Sequence, residues 1–210
     1  MTSGAESSDR HRSLLKGRPR HLRWLVLALL PIAALTSPTL GRPEWMHEIF
    51  ETLGVTCLVA CLVGRGWASV YVAGRKNQEL VTAGPYSVVR NPLYVFSFIG
   101  VVGIGLLSEM MTLLALAVIV FVLYHRTVVG REEKYLAGIY GDVYARYVAA
   151  VPRWFPAIRR WCDIDTLEVR PRLIARHLRD SGLFFLAFLF FEVCEYGREI
   201  DLITPFFYVP

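Results

Sequence analysis

Cysteine, lysine and charge are all scarce in this chain, and each scarcity narrows what it is. Four cysteines in 210 residues cannot frame a disulfide scaffold of this length. None of them stands near a histidine pair at metal-ligand spacing, so no metal is expected. Cys57 and Cys61 lie four apart in an apolar run and share one helix face. Only 20% of residues are charged, against 54% hydrophobic, and mean hydropathy is +0.41. Soluble domains run nearer about 45–50% apolar and about 25% charged. This excludes a disordered chain and a collagen, and argues against an ordinary soluble enzyme. Internal repeats are absent. No cleaved signal peptide is expected, because the first apolar run ends in Thr36, Ser37, Pro38 and Thr39 without a small-x-small site. The glycines Gly100, Gly103 and Gly105 follow no strand, so they do not mark a soluble-type cofactor fold. They suit close helix packing instead.

What is present is a series of long apolar runs. Residues 1–21 are polar and basic and read as a disordered cytoplasmic tail. A first span is expected from Leu22 to Leu40, kinked at Pro31, and a second from Ile49 to Ala73. Arg75 to Asn91 is a polar connection with a Gly84-Pro85 turn. Leu93 to His125 is almost wholly apolar, broken only at Ser108-Glu109. One straight helix of that length would reach about 50 Å, well over the hydrocarbon thickness of about 30 Å. A hairpin hinged at Ser108-Glu109 returns the chain to its starting side. All 23 basic residues except Arg42 and Arg198 then fall on one face, as the positive-inside rule asks. Residues 126–182 are expected on that face, with Arg170, Arg172, Arg176 and Arg179 on an amphipathic helix touching headgroups. A short final run, Leu183 to Tyr196, with Leu202 to Val209, either spans or dips. Glu192 within it is costly against lipid and should face the bundle, water or a basic partner. The expected fold is all-α: a multi-pass bundle of about five membrane helices with a tight hairpin at about 93–125. Residues 22–156 form its core, and 157–210 add a cytosolic segment and the last membrane helix.

Chemistry concentrates in two clusters flanking the hairpin. The first is Gly84, Pro85, Tyr86, Arg90, Asn91, Pro92 and Tyr94; the second is Glu132, Glu133, Leu136, Tyr140, Gly141, Tyr144 and Tyr147. The hairpin brings both to one membrane face, where Arg90 and the Glu132/Glu133 pair can approach. Pro92 suits a first helical turn and Asn91 its cap. A helix N-terminus beside an arginine seats a carboxylate or phosphate well. Each residue also has a plainer reading: Arg90 as a positive-inside anchor, the glutamates as a solvated turn, the tyrosines as an interfacial belt.

The two spaced patterns, in this order and at this separation, resemble the isoprenylcysteine carboxyl methyltransferase family and the related phospholipid methyltransferases. The resemblance covers about residues 75–156. It implies an integral-membrane enzyme using S-adenosylmethionine, with a cytosolic helical cap over the cofactor. It further implies that Arg90, Tyr94 and Glu133 face the reacting centre. Gly84, Tyr86, Arg90, Asn91, Pro92, Tyr94, Glu132 and Glu133 would build the cofactor site, with His125 facing it from the end of the hairpin. Two positions depart: the family often carries His at the position of Asn91 and Gly at that of Phe96, and Phe96 is expected to narrow the pocket. Arg90 suits either an acceptor carboxylate or the cofactor's own. A carboxylate acceptor needs no general base; an ammonium acceptor does. The partners expected are a lipidic or isoprenoid substrate and membrane lipids, not nucleic acid, and the sequence sets no oligomeric state. The heavy preference for Arg over Lys points to a bacterial inner membrane. Competing readings are a non-enzymatic adaptor with the same fold and a steroid-reductase-like enzyme. Against the second, Leu93 precedes Tyr94 and Ser97 stands where a Glu would be.

Overall fold

The computed structural model describes residues 36–38, 43–73, 79–169, 171–200, 202 and 207–209. The expected tail and nearly all of the expected first span lie outside the described residues. The fold is helical. It comprises α1 (Glu44–Val72), a single turn α2 (Pro85–Val88), α3 (Pro92–Leu107), α4 (Met111–Ala150), a 3-10 turn at Ile158–Arg160 and α5 (Pro171–Glu199). Two short strands, β1 (Thr36–Pro38) and β2 (Phe207–Val209), pair in parallel with Thr36 opposite Phe207. Helices α1 and α4 are long and apolar enough to cross a membrane, while α3 is a shorter apolar helix.

Pro43 precedes α1 and Glu44 fills its first turn, where a negative charge opposes the helix dipole. Gly54, Leu58, Cys61, Gly64 and Ala68 recur at helical spacing and are all buried. That stripe meets α3 at near-backbone distance. A Cβ on Gly103 would lie 2.9 Å from both Gly54 O and Cys57 Cβ, and one on Gly100 would lie 2.6 Å from Cys61 Sγ. Small residues let two helices approach this closely in a lipid-like environment. Gly105 does the same for α4, since its Cβ would stand 2.5 Å from Leu114. Phe96, expected to narrow the pocket, is instead laid over Gly64, whose Cβ would fall 2.1 Å from its ring. The bulk of Phe96 is matched by that missing side chain, and Phe96 does not line the cavity described below.

The hairpin turns where expected. Helix α3 ends at Leu107, α4 starts at Met111, and Glu109 adopts φ 55°. Ser108 caps the turn, donating Oγ to Gly105 O at 2.7 Å and accepting from Met110 N at 3.3 Å. His47 near the start of α1 bonds Glu109, so the hinge is tied to α1.

The second arm departs from the expected short one. Helix α4 does not stop at His125: it runs to Tyr140, about 45 Å, kinks at Gly141 (φ 49°) and continues as a short second helical stretch to Ala150. One helix therefore supplies both an apolar wall and much of the segment expected as a separate region from 126. Good helix formers such as Glu132, Glu133, Lys134 and Leu136 carry it onward. The last apolar run is likewise part of a longer helix. Helix α5 has 29 residues, with Arg172, Arg176, Arg179 and Glu192 exposed, and runs antiparallel to α1, placing Leu178 near Gly66 and Phe184 near Gly100.

The small-residue contact can be tested directly. Gly103→Val should cost about 1–3 kcal/mol by overpacking, read as a lower melting midpoint of the detergent-purified protein. Gly138→Ala, where a Cβ would meet nothing within 4 Å, should leave the midpoint unchanged or raise it. Equal behaviour of the two variants would refute the close α1–α3 packing.

Candidate active site

The two motif clusters meet where α1 and α3 end and α4 passes beyond them. A cavity of about 440 Å³ opens there. Among the residues expected at the site, Tyr86, Arg90, Asn91, Pro92, Tyr94 and Glu132 line it. Gly84, His125 and Glu133 do not.

Glu133 is buried, 9% exposed, and its carboxylate is spent inside the protein. Arg90 Nη1 lies 3.3 Å from Oε1. Arg153 donates Nε to Oε1 at 3.1 Å and Nη2 to Oε2. Asn91 Nδ2 reaches Oε1 at 3.5 Å and Arg153 O at the same distance. Two cations and an amide thus surround one carboxylate, which is how a buried charge is tolerated. Arg90 keeps its Nε buried without a hydrogen-bond partner. Its backbone N–H goes to Pro152 O at 2.9 Å.

Glu132, one residue earlier, turns to the cavity and accepts from Tyr94 Oη at 3.0 Å. Tyr94 packs edge-on against His125, which stacks on Phe121 with centroids 3.7 Å apart and bonds Phe121 O through Nδ1 at 2.9 Å. His125 therefore braces the Tyr94 ring from behind. Tyr86 is held by its own carbonyl, which accepts from Tyr147 Oη at 2.8 Å. Burial, with Glu132 nearby, pushes the Tyr86 phenol well above the ordinary tyrosine range, so it stays neutral and keeps its donor.

Gly84 has a structural duty. It adopts φ 58°, and a Cβ there would strike the Tyr71 ring at 2.3 Å. Its N–H donates to Cys162 O at 2.8 Å. Together with Cys162 N to Ser87 Oγ at 3.0 Å and Ala157 N to Val88 O at 2.9 Å, this straps residues 157–162 onto α2. Tyr71 Oη to Asp163 Oδ1 at 2.9 Å and the stacked Trp67 and Trp161 rings complete the strap.

Four polar or charged lining residues were not among those expected: Arg65, Glu79, Tyr144 and Tyr147. The tyrosines had a signal, since Tyr140, Tyr144 and Tyr147 share one helix face. Arg65 had one too. It falls inside the expected second span, Ile49 to Ala73, and stands inside α1, seven residues before Val72. An ionisable residue within a spanning helix is a functional candidate by default. Among the described residues no group of three or more His, Cys, Asp or Glu side chains converges as a metal site would require.

Comparison with known proteins gives a family likeness over part of the chain. The phospholipid methyltransferase family profile matches residues 49–143, a stretch that includes most of α1, α3, most of α4, and Glu132 and Glu133. The chain is 30% identical over 127 residues to the protein-S-isoprenylcysteine O-methyltransferase of Schizosaccharomyces pombe, covering 55% of this chain and 53% of that one. Over that stretch the chain is isoprenylcysteine and phospholipid methyltransferase-like. Two further relatives match over more of their length. The nickel-cobalt-cadmium resistance protein NccN of Alcaligenes xylosoxydans is 31% identical over 89% of this chain and 87% of its own. The cobalt-zinc-cadmium resistance protein CzcN of Cupriavidus metallidurans is 34% identical over 77% of this chain and 74% of its own. Both names record metal resistance, and neither names a reaction. No solved structure matches the chain. Family and apolar helices together make this a membrane protein of methyltransferase type.

The carboxylate hub predicts a contrast between neighbouring glutamates. Glu133→Gln leaves Arg90 and Arg153 without a counter-charge and should destabilise by about 3–5 kcal/mol. Glu132→Gln, which faces the cavity, should melt within about 1 kcal/mol of the parent, in the range of a net neutral hydrogen bond. Denaturation of both variants in one detergent decides it, and equal stability would refute the hub.

Proposed function

We propose that this chain is an S-adenosylmethionine-dependent methyltransferase acting on a lipidic or isoprenoid acceptor, with carboxyl O-methylation favoured. The observation that carries the reading is the meeting of the two motif clusters, 38 residues apart between Tyr94 and Glu132, on one cavity at the end of the hairpin. The donor set suits the cofactor. The orphaned Arg90 Nε and the Asn91 amide suit an α-carboxylate. Glu132 suits ribose hydroxyls or an ammonium. The faces of Tyr86 and Tyr94 suit a sulfonium. When bound, S-adenosylmethionine supplies a methyl group activated by its positive sulfur.

The protein's own contribution is then positioning, the larger part of what an in-line displacement needs. Glu133 holds Arg90 and Arg153 in place, and His125 fixes the Tyr94 ring. Tyr147 fixes the backbone at Tyr86, and the strap closes the far side. A carboxylate acceptor arrives already deprotonated, so no side chain has to take a proton. His125 is consistent with that role, being committed to Phe121 and set behind Tyr94. In the membrane, we place the chain as a multi-pass protein of a bacterial inner membrane, its N-terminus and cavity cytosolic. The far half of α4 serves as the helical cap. Residues 22–156 are the catalytic core.

Calorimetric titration of the detergent-purified protein with S-adenosylhomocysteine tests the reading. Saturable binding is expected, with Glu132→Gln weakening it at least about tenfold, the loss of a charge-assisted contact. A folded protein that binds neither this product nor S-adenosylmethionine would overturn the proposal.

A further inference from the structure

The cavity holds a second arginine that the motif clusters do not supply. Arg65 rises from α1 about 10 Å below that helix's end, on the membrane side of Arg90. Its hydrogen bonds go to neutral oxygens alone. Nε donates to Ser181 Oγ of α5 at 2.9 Å; Nη1 donates to Leu93 O at 3.3 Å and to Ser97 Oγ, both in the opening turns of α3. Among the described residues no carboxylate stands within ion-pair distance of it. Nη2 takes part in none of these bonds, and Arg65 lines the cavity. Arg90, by contrast, is neutralised by Glu133.

An unneutralised guanidinium at that depth is expensive, and it persists where something compensates it. The three neutral partners fix its orientation without cancelling its charge. They belong to α3 and α5, so the guanidinium is clamped between the walls that would flank an apolar chain. What remains is a fixed, partly buried cation at the cavity wall, with Nη2 outside its three bonds.

We propose that Arg65 is the acceptor-anchoring residue, holding one oxygen of a carboxylate carried at the end of an apolar chain. The second oxygen of that carboxylate stays available to the reacting end of the cavity. The inference rests on the methyltransferase reading and assigns its acceptor specificity to a residue outside the motif clusters. The clamp assigns Arg65 to the acceptor rather than the cofactor: α3 and α5 hold it, whereas Arg90 and Asn91, suited to the cofactor, are held by the Glu133 cluster.

Three probes with one isoprenoid chain and different heads test it: farnesoic acid, farnesol and farnesyl phosphate. Each is titrated into the full-length protein in detergent, with and without saturating S-adenosylhomocysteine. Farnesoic acid should bind at least about tenfold tighter than farnesol, the worth of one charge-assisted contact. Arg65→Gln should abolish that preference while affinity for S-adenosylhomocysteine stays within about twofold. Arg65→Lys, which keeps the charge but loses the fork, should retain an intermediate preference and control for folding. A preference that survives in Arg65→Gln overturns the proposal. So does a loss of S-adenosylhomocysteine affinity in that variant, which would give Arg65 to the cofactor. Farnesyl phosphate binding more tightly than farnesoic acid would overturn the carboxylate in favour of a phosphate head. Failure of the parent protein to bind S-adenosylhomocysteine would strike the methyltransferase reading instead, because the head-group preference is measured without it as well.

Discussion

The Glu133 carboxylate is the constraint on which the rest of the site depends. It sits on α4, yet its partners come from the residues just before α3 and from Arg153, just after α4. Burying a carboxylate costs several kcal/mol unless it is both paired and hydrogen-bonded. Here two guanidinium groups and an amide meet that condition together. Moving α4 away from α3, or the strap away from either, would expose the pair or strand a charge. The ion cluster therefore fixes the angle of the hairpin at the end where the cavity lies. Tyr144 and Tyr147, packed beside Val151, fill the space around it with aromatic bulk.

At the opposite end the hairpin is held by different means. Ser108 satisfies the backbone through the turn, and Glu109 adopts a left-handed conformation while bonded to His47. Between the two ends, glycines let α1 and α3 approach to near-backbone distance. Phe96 shows how the packing is balanced, because its ring occupies the volume that a side chain at position 64 would need. Clamped at both ends and closely packed between them, α1, α3 and α4 present their terminal residues in fixed register. That register is what places Tyr94 opposite Glu132.

Much of this was legible in the sequence for a physical reason. A 33-residue apolar run exceeds the bilayer, so it had to fold back, and Ser108-Glu109 holds the only acidic or basic residue in it apart from the terminal His125. Once folded back, the run had to bring Arg90 near the two glutamates. Which glutamate points where was not legible. Glu132 and Glu133 differ by about 100° around the helix, and only the positions of Arg90 and Arg153 decide that Glu133 turns inward. The length of α4 was hidden because its apolar pattern ends near His125 while its helix does not; propensity and the buried tyrosines carry it on to Gly141 and beyond. Arg65 was hidden because charge counting gives an arginine near a span's end to the water side. Its hydrogen bonds to α3 and α5 place it within the bundle.

These features explain why the cavity forms at one end of the hairpin and not the other. At the hinge, three residues join α3 to α4, and the side chain of Ser108 satisfies the turn, leaving little room between the helices. At the other end α1 and α3 stop while α4 continues, so one helix overhangs two helix ends. A wall without an opposing wall leaves a recess, and the chain lines it with what those ends must carry: the residues leading into α3, the strap that pins them, and the tyrosines and glutamate of the overhanging helix. Leu93, Leu136 and Leu173 add apolar wall from three different elements. The recess is thus a direct consequence of pairing a long helix, kinked only at Gly141, with a 16-residue one. The unequal arms of the hairpin are the architectural source of the site.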